Sequence, residues 1–301
     1  MTATAAEIAS QPDTWQTALA RAGEFREALA APGERVLAIG CGTSAFVAQS
    51  YAKLREAGGI GETDAAYASE LPTGRRYDRV VAITRSGTTT EILTALRGLP
   101  AGTRRVVVTA VEGEAVDELA DERLVLGFAD EASVVQTRFP TTVLAGARAV
   151  LGHRHDQMVH DGRSALATPL PVEAGRFDHF VFLGTGWTVG LAHEAALKMR
   201  ETAQAWSESY PAMDFRHGPV AVATERSLVW AFGEVPEGIA ETSAGAGATV
   251  YQDADRDPLA QLVLVHRLAI ELAGRRGLDP DRPRRLTRSV VLAPAGTDAA
   301  R

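Results

Sequence analysis

The chain has 301 residues, 46% of them hydrophobic, enough to bury a large core and better suited in length to two domains than to one. Its 31 basic and 38 acidic residues leave a formal net charge of −7, which excludes a general attraction to nucleic acid or an anionic membrane and makes any phosphate binding local. A single cysteine, Cys41, excludes an intramolecular disulfide, and with no leader pattern and no long apolar run, a soluble cytoplasmic protein is expected.

Residues 14–30 carry apolar groups at helical spacing and end at Pro32-Gly33, which predicts a packing or dimer helix within an N-terminal segment, 1–33. Residues 35–40 then read as a buried strand entering the turn Gly40-Cys41-Gly42-Thr43-Ser44, followed by a helix over 45–57. Further strands are predicted at 64–68, 79–84, 104–109 and 123–127, and strands alternating with helices imply an α/β fold with a parallel sheet covered on both faces. The stretch from His179 to Gly186 repeats the pattern of strand, glycine turn and helix, with Gly184 lying 144 residues after Gly40. The chain therefore reads as a tandem duplication of one flavodoxin-like unit. Pro169 and Pro171 mark the join, giving a first unit over 34–165 and a second over 166–301. In the second unit, strands are expected at 227–232 and 248–251 and a closing amphipathic helix at 259–274.

Glu194, Lys198 and Glu201 occupy one uninterrupted helical stretch at spacings of four and three, so the lysine lies between two carboxylates on one face. The plain reading is a surface ion-pair ladder. The chemical reading is a proton-transfer set, with His217 in Arg216-His217-Gly218-Pro219 as a further acid or base titrating near neutrality. The turn Thr84-Arg85-Ser86-Gly87-Thr88-Thr89 closes a strand and opens a helix. Its hydroxyls, with those of Thr43 and Ser44 in the neighbouring turn and the free N–H groups of the helix start, suit a phosphate monoester. Helix capping accounts for one or two of these hydroxyls, not for six. Gly40 to Ala45 also fits the dinucleotide pattern G-x-G-x-x-A, but no acidic residue closes the second strand to hold a ribose. Cys41 reads as a small packing residue, and His153, His155 and His160 match no metal-ligand spacing, so neither metal nor cofactor is expected.

With these motifs in place, the chain resembles the double sugar-isomerase (SIS) domain proteins over nearly its whole length. The similarity is to the isomerase half of glucosamine-6-phosphate synthase and to glutaminase-free amino-sugar-phosphate isomerases and deaminases. It is carried by residues 40–44, 84–89, 131–142, 194–201, 216–219 and 283–289. The resemblance implies a sugar-phosphate pocket on Ser44, with Gly42 and Thr43 in the same turn, and on Thr84, Ser86 and Thr89, with Arg85 where the synthase has glutamine. It places Val134 and Gln136 along the sugar, makes Glu201 the C1/C2 proton shuttle with Lys198 and Glu194 as polar neighbours, and makes His217 the ring-opening histidine, supplied across a homodimer. The synthase's imine-forming lysine falls on Arg288, a poor nucleophile because its guanidinium stays protonated. With no glutaminase segment, glutamine-dependent amination is not expected.

The implied activity is isomerisation and deamination of glucosamine 6-phosphate or galactosamine 6-phosphate to a ketose 6-phosphate and ammonia. Two alternatives stay open: isomerisation without deamination, and a non-catalytic phosphosugar sensor. Sensors of this fold usually carry a helix-turn-helix domain, for which residues 1–30 are too short.

Overall fold

The structure, a computed structural model, describes residues 2–292. The N-terminal segment forms three short helices, α1 (Ala3–Ala9), α2 (Gln11–Ala20) and α3 (Ala22–Leu29), where the sequence predicts one over 14–30. The break falls at Arg21, whose side chain is anchored elsewhere: its guanidinium donates to the Val125 carbonyl, pairs with Glu24 and lies over the Phe128 ring. A tertiary anchor thus overrides helix propensity.

Two parallel sheets follow, as the alternation of elements predicts. The first contains β1 (Val36–Gly40), β2 (Thr63–Tyr67), β3 (Arg79–Ile83), β4 (Arg104–Thr109) and β5 (Glu122–Val125), in the order β2-β1-β3-β4-β5. The second contains β6 (His179–Gly184), β7 (Trp206–Pro211), β8 (Ser227–Ala231) and β9 (Thr249–Gln252), in the order β7-β6-β8-β9. The order is the same apart from a missing last strand. β7 is a strand the sequence reading passed over: an edge strand with polar Ser207, Glu208 and Ser209 and an exposed Trp206. Gly40 and Gly184 make the repeat physical. A Cβ at either would overlap the backbone four residues on, where the following helix turns back over the strand, so only glycine fits.

The helices α4 (Thr43–Ala57), α6 (Arg138–Val150), α8 (Thr188–Ala203) and α10 (Pro258–Arg275) contribute to one continuous core that includes the inner faces of both sheets. Val36, Ala38, Val81 and Val106 face it from the first sheet, and Phe180, Phe182, Leu228 and Trp230 from the second. α5 (Thr90–Arg97) covers the outer face of the first sheet, where Ile92, Ala95 and Leu96 meet Leu37, Ile39 and Val80. α7 (Met158–Ala167) packs on α2 and α10, and α9 (Ile239–Gly245) lies on the outer side of the second sheet. Among the described residues no helix is long and apolar enough to cross a membrane.

Candidate active site

α4 and α8 cross in close contact and antiparallel, and this crossing places the site. Near one end, Ser50 donates to the Trp187 carbonyl at 2.9 Å, and a Cβ on Gly190 would overlap Ser50 and the Phe46 carbonyl. Near the other, Lys198 Nζ donates to Thr43 Oγ1 at 3.1 Å. Since α4 starts at the carboxyl end of the first sheet and α8 ends at the amino end of the second, the hydroxyl-rich turns of one unit meet the charged helix face of the other.

Lys198 is the hub of that meeting. Its Nζ lies 2.5 Å from Glu201 Oε2 and 3.4 Å from Glu194 Oε1, with Lys198 and Glu194 almost fully buried and Glu201 half-buried. Burial pulls the lysine towards neutrality, but the two carboxylates outweigh it and hold the ammonium charged. Among the described residues no hydrogen bond reaches the Glu194 oxygens, and burial pushes its carboxyl up to about 7 despite Lys198. Such a residue holds a proton in the folded chain that the unfolded chain has released. Relative to Glu194→Gln, the wild type should lose about 1–3 kcal/mol of stability as pH rises through the interval between the unfolded and folded pKa values. That interval runs from 4.5 to about 7, and the difference should be flat above it. Urea unfolding at pH 5 and pH 8 measures this; a pH-independent difference would exclude a neutral Glu194.

The turns after β1 and β3, neighbouring strands whose connections leave to opposite faces, open a crevice at the carboxyl end of the first sheet. A cavity of about 180 Å³ lies there, lined by Cys41, Gly42, Thr43, Thr89, Val134, Gln136, Lys198 and Glu201 and closed on the remaining side by residues 286–290. Val134 and Gln136 are held in place from behind. Buried Glu131 accepts the N–H groups of Thr137 and Arg138 at 2.5 and 2.9 Å, and Glu7 of α1 accepts those of Ala132 and Ser133 at 2.6 and 3.3 Å. Two buried oxygens, Thr84 Oγ1 and Gln136 Oε1, find no partner among the described residues. Ser44, Thr84 and Ser86 lie buried in the two turns.

The remaining expected site residues sit differently. Arg85 does not line the cavity. It is buried behind the turn, donating to the carbonyls of Ser133 (2.8 Å) and Arg288 (3.1 Å) beside Glu131, because a guanidinium with backbone acceptors around it satisfies its donors inward. Arg288 lines the cavity but pairs with Asp130 at 2.5 Å. His217 lies apart from Glu201 within one chain. It is exposed in the turn Asp214–His217 beyond the carboxyl end of β7, whereas Glu201 precedes the amino end of that strand, roughly 17–20 Å away along it. Cys41 packs against the Leu37, Ile39 and Val80 cluster, as its sequence reading has it, and also borders the cavity, its thiol pushed up to about 11 by burial. Ser289 ends the matched stretch 283–289 without a role assigned to it, and Glu7 belongs to no motif.

The equivalent crevice of the second unit is a cavity of about 300 Å³ lined in part by Trp187, Gly233, Glu234, Asp255 and Asp257. No hydroxyl cluster follows β8 there, and the Arg148 guanidinium in its wall is tied to Asp257 at 2.7 Å. Among the described residues no group of three His, Cys, Asp or Glu side chains is placed to hold a metal ion.

No protein-family model matches the chain. It is 28% identical over 86% of its length to a glutamine–fructose-6-phosphate aminotransferase (isomerizing) from Sulfurisphaera tokodaii, and it spans about half the length of that relative (50%). Among solved structures, glucosamine-6-phosphate deaminase from Thermotoga maritima superposes with a TM-score of 0.84 at 24% identity, covering 97% of this chain and 100% of the other. Tagatose-6-phosphate ketose/aldose isomerase from Escherichia coli gives 0.76 at 19% identity, covering 98% and 97%. The repeated parallel sheets and the similarity running through both of them make this chain similar in sequence to about half of the aminotransferase and alike in fold to the deaminase and the ketose/aldose isomerase.

Proposed function

We propose that the protein is a phosphosugar isomerase that acts on 2-amino-2-deoxyhexose 6-phosphates and releases ammonia from them. One observation carries the reading: Lys198 joins Thr43 of the phosphate-side turn to Glu201, so the anchoring crevice and the carboxylate share one cavity. The hydroxyls of Ser44, Ser86 and Thr89 and the N–H groups at the α5 start hold the phosphate, and the open-chain sugar then lies along Val134 and Gln136 towards Glu201. Glu201 removes the C2 proton of the aldose while Lys198 stabilises the charge developing on the enediolate oxygen, and the proton returns at C1. With an amino group at C2, this shift leaves a ketimine, which water hydrolyses to ketose 6-phosphate and ammonia. His217 assists ring opening from a second copy of the chain, since within one chain it lies beyond the far end of β7.

The Thermotoga maritima neighbour, named as a deaminase, supports the amino-sugar reading; the Escherichia coli neighbour, named as a ketose/aldose isomerase, favours isomerisation alone. Incubation with glucosamine 6-phosphate and galactosamine 6-phosphate, followed by assays for ammonia and for ketose, separates them. Ketose formation from non-amino substrates without ammonia from the amino ones would select the second, and tight binding with no turnover of any hexose phosphate would make the protein a sensor. Ser86→Ala should weaken binding of glucose 6-phosphate by about 10- to 100-fold, as loss of a charge-assisted hydrogen bond does. Its affinity for glucose should not change, and calorimetry with both sugars checks the phosphate assignment.

A further inference from the structure

The phosphate-type crevice is occupied by the chain itself. Ser289 Oγ accepts hydrogen bonds from Ser86 Oγ at 3.1 Å and Thr88 Oγ1 at 2.9 Å, and lies 3.3 Å from Thr89 Oγ1. One residue on, the Val290 carbonyl accepts the N–H of Thr90, the first residue of α5, at 3.1 Å. Two oxygens of residues 286–292 therefore engage three converging hydroxyls and a free helix-start N–H, the contacts that two oxygens of a phosphate monoester make. This strap is held by polar contacts more than by burial. Arg85 donates to the Arg288 carbonyl, Arg288 pairs with Asp130, and the Leu292 N–H donates to Thr90 Oγ1, while Leu286, Val290, Val291 and Leu292 are 42–68% exposed.

We propose that Ser289 stands in for a phosphate oxygen, so that the strap competes with the substrate's phosphate for the crevice, and that Arg85 is the positioning residue that holds the strap in this place. The proposal rests on reading the crevice as the phosphate site. A phosphate dianion gains more from the α5 N-terminus than a neutral hydroxyl does, so substrate displaces the strap. Its apparent affinity is lowered by the fraction of molecules in which the strap is seated. Arg85 links the strap to the Ser133 carbonyl beside Val134, so the phosphate and sugar ends of the pocket rearrange together.

The test is calorimetric binding of inorganic phosphate to the full chain. Ser289→Ala removes the competing oxygen and should tighten phosphate binding about five- to tenfold, the size of one neutral hydrogen bond. Arg85→Gln should tighten it in the same direction and speed hydrogen exchange at the Thr90 amide, a readout that simple loss of stability would not couple to stronger binding. Weaker binding in Ser289→Ala would make Ser289 a phosphate ligand, and unchanged binding would make its contacts incidental; either overturns the proposal. Ser86→Ala separates the two readings. If it leaves phosphate affinity intact, the crevice is not the phosphate site; if it weakens binding while Ser289→Ala has no effect, only the strap's competition fails.

Discussion

Glu201→Gln is expected to cut turnover by about 10²- to 10⁴-fold, the usual contribution of a positioned general base. Affinity for glucosamine 6-phosphate and glucose 6-phosphate should stay within about twofold, because the change removes a charge and little volume and touches none of the phosphate contacts. Lys198 keeps two of its three partners, Thr43 and Glu194, so the helix face should hold its shape. The decisive readout is exchange of the C2 hydrogen. In deuterated water the wild type should replace it and the variant should not, even where product formation is too slow to follow. Retained exchange in the variant would assign the base elsewhere, and Glu194, whose carboxyl is half ionised near neutrality, would be next in line.

The second large effect comes from a residue outside the cavity. Gly190→Ala places a methyl group into the Ser50 side chain and the Phe46 carbonyl, and backbone on the α4 side cannot give way as a flexible side chain would. The helices must separate, at a stability cost of about 3 kcal/mol. A displacement of about 1 Å between Thr43 and Glu201 should lower kcat about 100-fold. Binding of inorganic phosphate should survive, because both turns proposed to hold it belong to the first unit. A thermal melt unchanged within a degree, with kcat within twofold of wild type, would show that the α4–α8 contact does not set the site.

Much of this arrangement could be read in the residues, and the omissions have physical reasons. The apolar runs 35–40, 79–84 and 179–184 read as buried parallel strands because their residues are apolar on both faces, and the glycine turns after them betrayed the duplication. β7 escaped because an edge strand with one half-solvated face needs no apolar run. The spacing of Glu194, Lys198 and Glu201 gave their common face, but not that Lys198 would reach Thr43, a contact between residues 155 positions apart. Arg85 was misplaced since a motif position says which residue occupies a turn, not which way its side chain leaves it. Ser289 ends the matched stretch 283–289, but nothing in that stretch gives it a role. Its importance comes from where the strap lies, and nothing local fixes that.

Gly40 and Gly184 mark two copies of one architectural unit, yet the copies have parted company in what they offer. The first retains a hydroxyl-lined crevice, while the second has acidic side chains in the corresponding place and contributes the far end of α8 instead. Duplication has therefore brought no redundancy. On the proposed mechanism, injury to either half should stop turnover, for neither twin carries what the other supplies.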